Sequence, residues 1–212
     1  MIKYDVCFVD LDDTIYDTRK LKEDIYKLFQ PFGINHEQFI KAYRRAAELP
    51  TPGYFHYTFE KQIEAVREFG YEVSENILND LNNLLNNDYL LSDAGGFIRY
   101  LKTICAKVIL LTAGTIEFQK RKVEAIGADK MFDEVVQIAG GKDQVIASIV
   151  KNEKILFIND NLEENMVIKN HFAGVDVLTL YNYSYWNEED CERSKIPWFK
   201  SLNDIKNYLQ SK

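Results

Sequence analysis

The chain has 212 residues, 46% hydrophobic and 28% charged, a size that buries one substantial core with at most a modest accessory module. A net charge of −7 disfavours a partner held through many phosphates, so no nucleic-acid polymer is expected, and no apolar window approaches the length that spans a bilayer. Cys7, Cys105 and Cys191 are odd in number and far apart, which suggests neither a disulfide framework nor a paired metal site; with no secretory signal at the start, the expectations are a cytoplasmic setting and no membrane.

The first element is Val6-Cys7-Phe8-Val9, too continuously apolar for a one-sided strand and suited to a central strand covered on both faces. It runs into Asp10, Asp12 and Asp13, and such crowding at a strand end asks for protonation or a cation. A helical stretch follows with Leu21, Ile25, Leu28 and Phe29, stopped by Pro31 and Gly33, and Asp17 is placed to cap it. Asn35 can cap a second helix bearing Phe39, Ile40 and Tyr43, which ends at the Pro50-Thr51-Pro52-Gly53 breaker. Phe59, Ile63 and Val66 mark a third, and Ser74 can cap a fourth with Ile77, Leu78, Leu81, Leu84 and Leu85.

From Ser92 the pattern alternates: helix 97–105, strand 108–111, helix 116–126, strand 135–138, helix 142–151, strand 155–158, helix 162–170 and strand 175–180. Residues 181–199 read as irregular and aromatic, and 202–209 closes as a helix. This rhythm implies an α/β fold, a doubly wound parallel sheet with helices on both faces, and makes the four-helix bundle an insertion after strand one.

Four stretches, taken in order, resemble the motifs of the haloacid dehalogenase (HAD) superfamily of Asp-nucleophile phosphohydrolases. Asp10-Leu11-Asp12-Asp13-Thr14 matches the first, and Thr112 in Leu110-Leu111-Thr112-Ala113-Gly114 the second. Lys142 after Gly140-Gly141 matches the third, and Asp160 after Ile155 to Ile158 the fourth. The inserted helices are similar to that family's C1 cap, so the resemblance covers nearly the whole chain. It implies a HAD-like Rossmannoid core of residues 1–16 and 92–212, with an α-helical cap of residues 17–91.

The resemblance further implies a phosphatase for a small phosphorylated metabolite. Asp10 would attack phosphorus to form an aspartyl phosphate, and Asp12 would protonate the leaving oxygen and later deprotonate the hydrolytic water. Mg²⁺ would be held by Asp10, the backbone carbonyl of Asp12, and Asp160. Thr112 with the backbone N–H groups of Ala113 and Gly114 would bind phosphoryl oxygens, and Lys142 would balance the charge. The chain departs from the pattern at Asn159, where Gly or Asp is common, and at Asn165, the second acidic position; Asn159, Glu164 and Asn165 are candidates for the metal's outer shell. A phosphomutase using the same intermediate and a non-catalytic HAD-fold binding protein are the alternatives. Asp12 speaks against a dehalogenase, which needs no acid at that position.

Among the remaining candidates, Asp13 reads as a turn residue and Arg44 and Arg45 as a solvated helix face. The aromatics of 54–59 read as core, and His36, His56 and His171 as scattered structural residues. The identity of the metabolite is not legible in these residues.

Overall fold

A computed structural model describes residues 2–47 and 56–212. At its centre lies a parallel sheet of β1 (Tyr4–Val9), β2 (Cys105–Ala113), β3 (Glu134–Ile138), β4 (Ile155–Asn159), β5 (Val175–Leu180) and β6 (Trp198–Phe199), in the spatial order β3-β2-β1-β4-β5-β6. β1 is interior, with Cys7 paired to Val108 on one side and Phe8 to Phe157 on the other. Its unbroken apolar run follows from two covered faces: Cys7 and Val9 join one buried cluster, while Phe8 joins the other with Ile109, Phe157 and Val177. Each large apolar side chain fully buried there contributes about 1.5–3 kcal/mol.

The chain winds outward from β1 through β2 to β3, then returns to β4 on the opposite side. β1 therefore sits where the strand order reverses, and the connections leaving the carboxyl ends of β1 and its neighbours diverge to leave a crevice.

Between β1 and the next sheet-covering helix lie α1 (Thr18–Phe29), α2 (His36–Ala47), α3 (Phe59–Glu68) and α4 (Ile77–Leu84). Asp17 caps α1 by accepting the Lys20 N–H at 2.9 Å, and Asn35 and Gln38 exchange side-chain to backbone bonds at the start of α2. Thr58 caps α3 through Lys61 N–H. Ser74 stands earlier than the expected cap of α4: Asn76 takes that position, and the Ser74 carbonyl accepts from Ile77 N–H. The breaker at 50–53, Tyr54 and Phe55 lie outside the described residues. Leu21, Ile25 and Phe29 form the buried stripe of α1, and with Phe39, Phe59 and Leu81 they belong to the same apolar cluster as Val9 and Leu110 of the sheet. The inserted helices thus rest on one face of the core.

The sheet's own helices are α5 (Ala94–Ile104), α6 (Ile116–Ala125), α7 (Ala128–Met131), α8 (Lys142–Ile149), α9 (Leu162–His171), α10 (Glu188–Ser194) and α11 (Leu202–Ser211). Residues 181–199 are not irregular throughout, because they include α10 and the edge strand β6. Asn187 and Asp190 form a capping box that starts α10, and Cys191 is its one buried residue, so the segment carries no apolar period to read. β6 is two residues long, below the length at which alternation can be recognised.

Candidate active site

Five strand ends converge. Asp10 follows β1, Ala113 ends β2 with Gly114 beyond it, Lys142 begins α8 after β3, Asp160 follows β4, and Asn182 follows β5. A cavity of about 600 Å³ opens over them, with Asp10, Asp12, Asp13, Lys122, Lys142 and Asp160 among its lining; Leu21, Lys22, Ile25, Tyr43 and Tyr57 face it from the inserted helices and the segment leading into α3. After β1 the chain closes tightly, the Leu11 carbonyl accepting from both Ile15 N–H (3.0 Å) and Tyr16 N–H (2.9 Å). That turn places three carboxylates from neighbouring positions at one end of a buried strand.

Asp10 is buried and accepts from Lys142 Nζ at 2.6 Å. Burial pushes its carboxyl up to about 6; the Lys142 ammonium opposes the rise, and the charges of Glu164 and Asp12 add to it. Lys142 also donates to Glu164 Oε2 at 2.9 Å and Asn159 Oδ1 at 3.3 Å, so its three donors have three oxygen partners. Burial alone would lower its pKa, but Asp10 and Glu164 hold it above the ordinary lysine range.

Asp12 is in a different environment. Its carboxylate receives the Lys122 ammonium, Thr18 Oγ1 at 2.5 Å and Gln119 Nε2 at 2.8 Å. Burial would raise its pKa, yet Lys122 first and the two neutral donors after it bring it down to about 2. The Lys122 ammonium also lies 4.6 Å from the centre of the Tyr16 ring. Asp12 is therefore firmly ionised in this state.

Asp160 and Asp13 complete the acidic group. Burial raises the Asp160 pKa well above the carboxylate range, and the charge of Asp10 raises it further. Asp13 has a positive φ of 52°, a turn conformation that Asp tolerates better than most residues, and burial raises its pKa too. Asn182 Nδ2 donates to both of these carboxylates, at 2.8 Å to Asp160 Oδ2 and 3.1 Å to Asp13 Oδ2.

The other sequence candidates divide. Ala113 and Gly114 line the cavity, but Gly114 N–H is engaged by the Ile138 carbonyl at 2.9 Å. Gly114 has φ of 141°, and a Cβ there would stand 3.1 Å from Gln119 Nε2. Thr112 is buried on β2, in register with Gln137, and is not among the cavity's lining residues. Glu164 lines the cavity and is tied to Lys142 and to Asn159 Nδ2 (2.9 Å). Asn165 is buried behind β4, donating to the Asn159 carbonyl at 3.1 Å and Thr179 Oγ1 at 2.9 Å, so it braces the strand rather than facing the cavity. Tyr57 and Phe59 are core, and Arg44 and Arg45 are exposed, with Arg45 paired to Glu68.

Lys122, Gln119, Thr18 and Asn182 escaped the sequence reading. Lys122 sits in Gln119-Lys120-Arg121-Lys122, which looks like any solvated helix face. Asn182 carried one usable signal: like Asp10 and Asp160, it is a polar residue just beyond an apolar strand.

The donor set fits a hard divalent cation. Asp10 and Asp160 stand just beyond the ends of adjacent strands, each has one carboxylate oxygen without a hydrogen-bond partner among the described residues, and burial disfavours the charge of both. Among the described residues no three His, Cys, Asp or Glu side chains are grouped to hold a metal unaided, so backbone oxygen and water would have to complete the shell. Among the same residues no helix is long and apolar enough to cross a membrane.

Comparison with known proteins bears on the fold. The chain resembles L-2-haloacid dehalogenase from Xanthobacter autotrophicus at 18% identity, TM-score 0.68, over 99% of both chains. It resembles magnesium-bound YfnB from Bacillus subtilis, a provisionally assigned HAD hydrolase, at 18% identity, TM-score 0.64, over 98% of this chain and 99% of the other. A provisionally assigned beta-phosphoglucomutase from Thermotoga maritima aligns at 16% identity, TM-score 0.66, over 98% and 99%. At these identities the likeness concerns the fold. No curated protein matches the chain. The family model for haloacid dehalogenase-like hydrolases matches residues 4–165, from the start of β1 into α9, and the chain belongs to that family.

Proposed function

We propose that the protein is a Mg²⁺-dependent phosphatase that hydrolyses a small phosphomonoester through an aspartyl phosphate on Asp10. The observation that carries this reading is Asp12, a carboxylate open to the same cavity as Asp10 and supplied with its own cation. A halide leaves carbon without needing a proton, whereas an alkoxide leaving phosphorus needs one, and a second carboxylate beside the nucleophile meets that need.

In the first step Asp10 attacks phosphorus, the bond to the leaving oxygen breaks, and Asp12 gives that oxygen its proton. In the second, Asp12 takes a proton from water as the water attacks the aspartyl phosphate, releasing phosphate and restoring Asp10. Asp12 is ionised before substrate arrives, so the proton it gives in the first step is taken up from solvent as substrate binds: a phosphate dianion entering the cavity raises its proton affinity by like charge while competing for the Lys122 ammonium, and the hydrolytic water returns a proton to it in the second step. Lys142, bonded to Asp10, offsets the charge gathered around the nucleophile. Mg²⁺, held by Asp10, Asp160 and the Asp12 carbonyl, would supply the positive charge that lets a carboxylate approach a phosphate dianion. The inserted helices would act as a lid, with Leu21, Ile25 and Tyr43 against the leaving group and water excluded.

The test is turnover of p-nitrophenyl phosphate and a phosphometabolite panel with Mg²⁺. Wild type should release inorganic phosphate, and Asp10→Asn and Asp12→Asn should each be inactive; an Asp10→Asn protein with wild-type turnover would rule out the nucleophile. The likeness to a haloacid dehalogenase supports a second reading, displacement of halide by Asp10. Halide release from a 2-haloacid that survives Asp12→Asn would establish it. A phosphomutase, the activity named for another of the similar structures, would return an isomerised phosphosugar instead of inorganic phosphate.

A further inference from the structure

Asn182 is used by none of the steps above, yet its side chain is among the most constrained near the site. It is buried, and both hydrogens of its amide are committed, one to Asp160 Oδ2 at 2.8 Å and one to Asp13 Oδ2 at 3.1 Å. Its Oδ1 accepts Ser184 N–H at 3.1 Å, and its carbonyl accepts Tyr185 N–H at 3.2 Å and Trp186 N–H at 3.1 Å. The residue is therefore held from both sides: by a turn of its own segment and by two carboxylates from the segments that follow β1 and β4.

We propose that Asn182 is the positioning residue of the metal site, bridging Asp13 and Asp160 so that the second oxygen of Asp160 is left for Mg²⁺; the inference rests on the metal-dependent reading above. The physical case is one of donors. Asp13 and Asp160 stand side by side at the edge of a common site, and without a donor between them nothing fixes which way either carboxyl group turns. A neutral amide supplies two N–H groups and adds no charge, so it holds both carboxylates while leaving the cation's electrostatic attraction intact. A lysine in that place would hold them equally well and repel the metal. Engaging Oδ2 of Asp160 also selects which oxygen remains, fixing the rotamer before the ion arrives. The same amide ties this carboxylate to the Tyr183–Trp186 turn, whose Tyr185 and Trp186 line the cavity and whose Tyr185 hydroxyl meets Lys22 Nζ of α1 at 2.7 Å.

The experiment titrates MgCl₂ into the full-length protein without substrate and follows binding by calorimetry, with Asn182→Ala, Asn182→Ser and Asp160→Asn beside wild type. Circular dichroism at the assay temperature confirms that each variant is folded. Asp160→Asn should abolish binding. Asn182→Ala should weaken it about 10–100-fold, the range for loss of a residue that orients a metal ligand, and Asn182→Ser, which keeps one donor, should fall between. Wild-type affinity in either folded Asn182 variant overturns the inference while leaving the proposed function standing. Absence of Mg²⁺ binding by wild type overturns both.

Discussion

Replacing Lys122 with Met tests the charge arrangement around Asp12 directly. Met keeps the apolar stem against Tyr16 and removes only the ammonium, whose side chain is 3% exposed; the Asp12 side chain is 31% exposed. Asp12 is held at about 2 against an ordinary 3.8, and at about 1.4 kcal/mol per pH unit its ionised form contributes roughly 2 kcal/mol to folding. Because the folded pKa is depressed, that contribution is fully present above about pH 4 and is lost as the pH falls towards 2. Urea unfolding at pH 7 should show Lys122→Met less stable by about 2 kcal/mol, or a melting temperature about 4–8 °C lower, with the gap narrowing below pH 4. Asp12→Asn combined with Lys122→Met removes both charges together and should recover most of the loss, giving a coupling near 2 kcal/mol in the double-mutant cycle. A coupling under about 0.5 kcal/mol would mean that the pair is a solvent-screened contact with no hold on Asp12, and the account of its ionisation would be wrong.

Asp10 attacks as a carboxylate and its pKa is raised to about 6, so kcat/KM should fall as the pH drops through that value. Added Mg²⁺ should move this acidic limb to lower pH, since a cation favours the charged form; a limb insensitive to Mg²⁺ concentration would remove either Asp10 or the metal from the assignment. Asn165→Asp, which restores the family's acid, should destabilise the protein by about 2–4 kcal/mol, because the new carboxylate would face the Asn159 carbonyl that now receives a donor. A melting temperature equal to wild type would show that the position opens to solvent. Gly114→Ala should cost about 1–2 kcal/mol through its positive φ and crowd Gln119 off Asp12; thermal melting reads the first effect and a drop in kcat the second. An unchanged kcat would show that Gln119 does not set the Asp12 geometry.

The sequence by itself determined the α/β class and the central place of β1, because those depend on local signals; Asp10, Asp12, Lys142 and Asp160 were singled out by the ordered resemblance to the family's motifs, and the structure places all four around one cavity. An apolar run covered on both faces reads as a buried strand, and a polar residue at its end stands out against it. The four inserted helices were legible for the same reason, from stripes such as Leu21, Ile25 and Phe29. α10 and β6 were not, since a helix with one buried residue and a two-residue edge strand leave no period to detect. Only the tertiary structure decided what each carboxylate experiences. Lys122 reaches Asp12 across 110 positions of sequence and Asn182 reaches Asp13 across 169; Lys122 looks like an ordinary surface residue, and the place of Asn182 beyond an apolar strand does not say which carboxylates it meets until the strand order brings their elements together. The same folding turned Asn165 inward and gave Glu164 to Lys142, separating two neighbours that the sequence could only group. Hydrogen bonding and burial act over a few ångströms in space, whatever the separation along the chain, so the residue types were written in the sequence and their protonation was set by the fold.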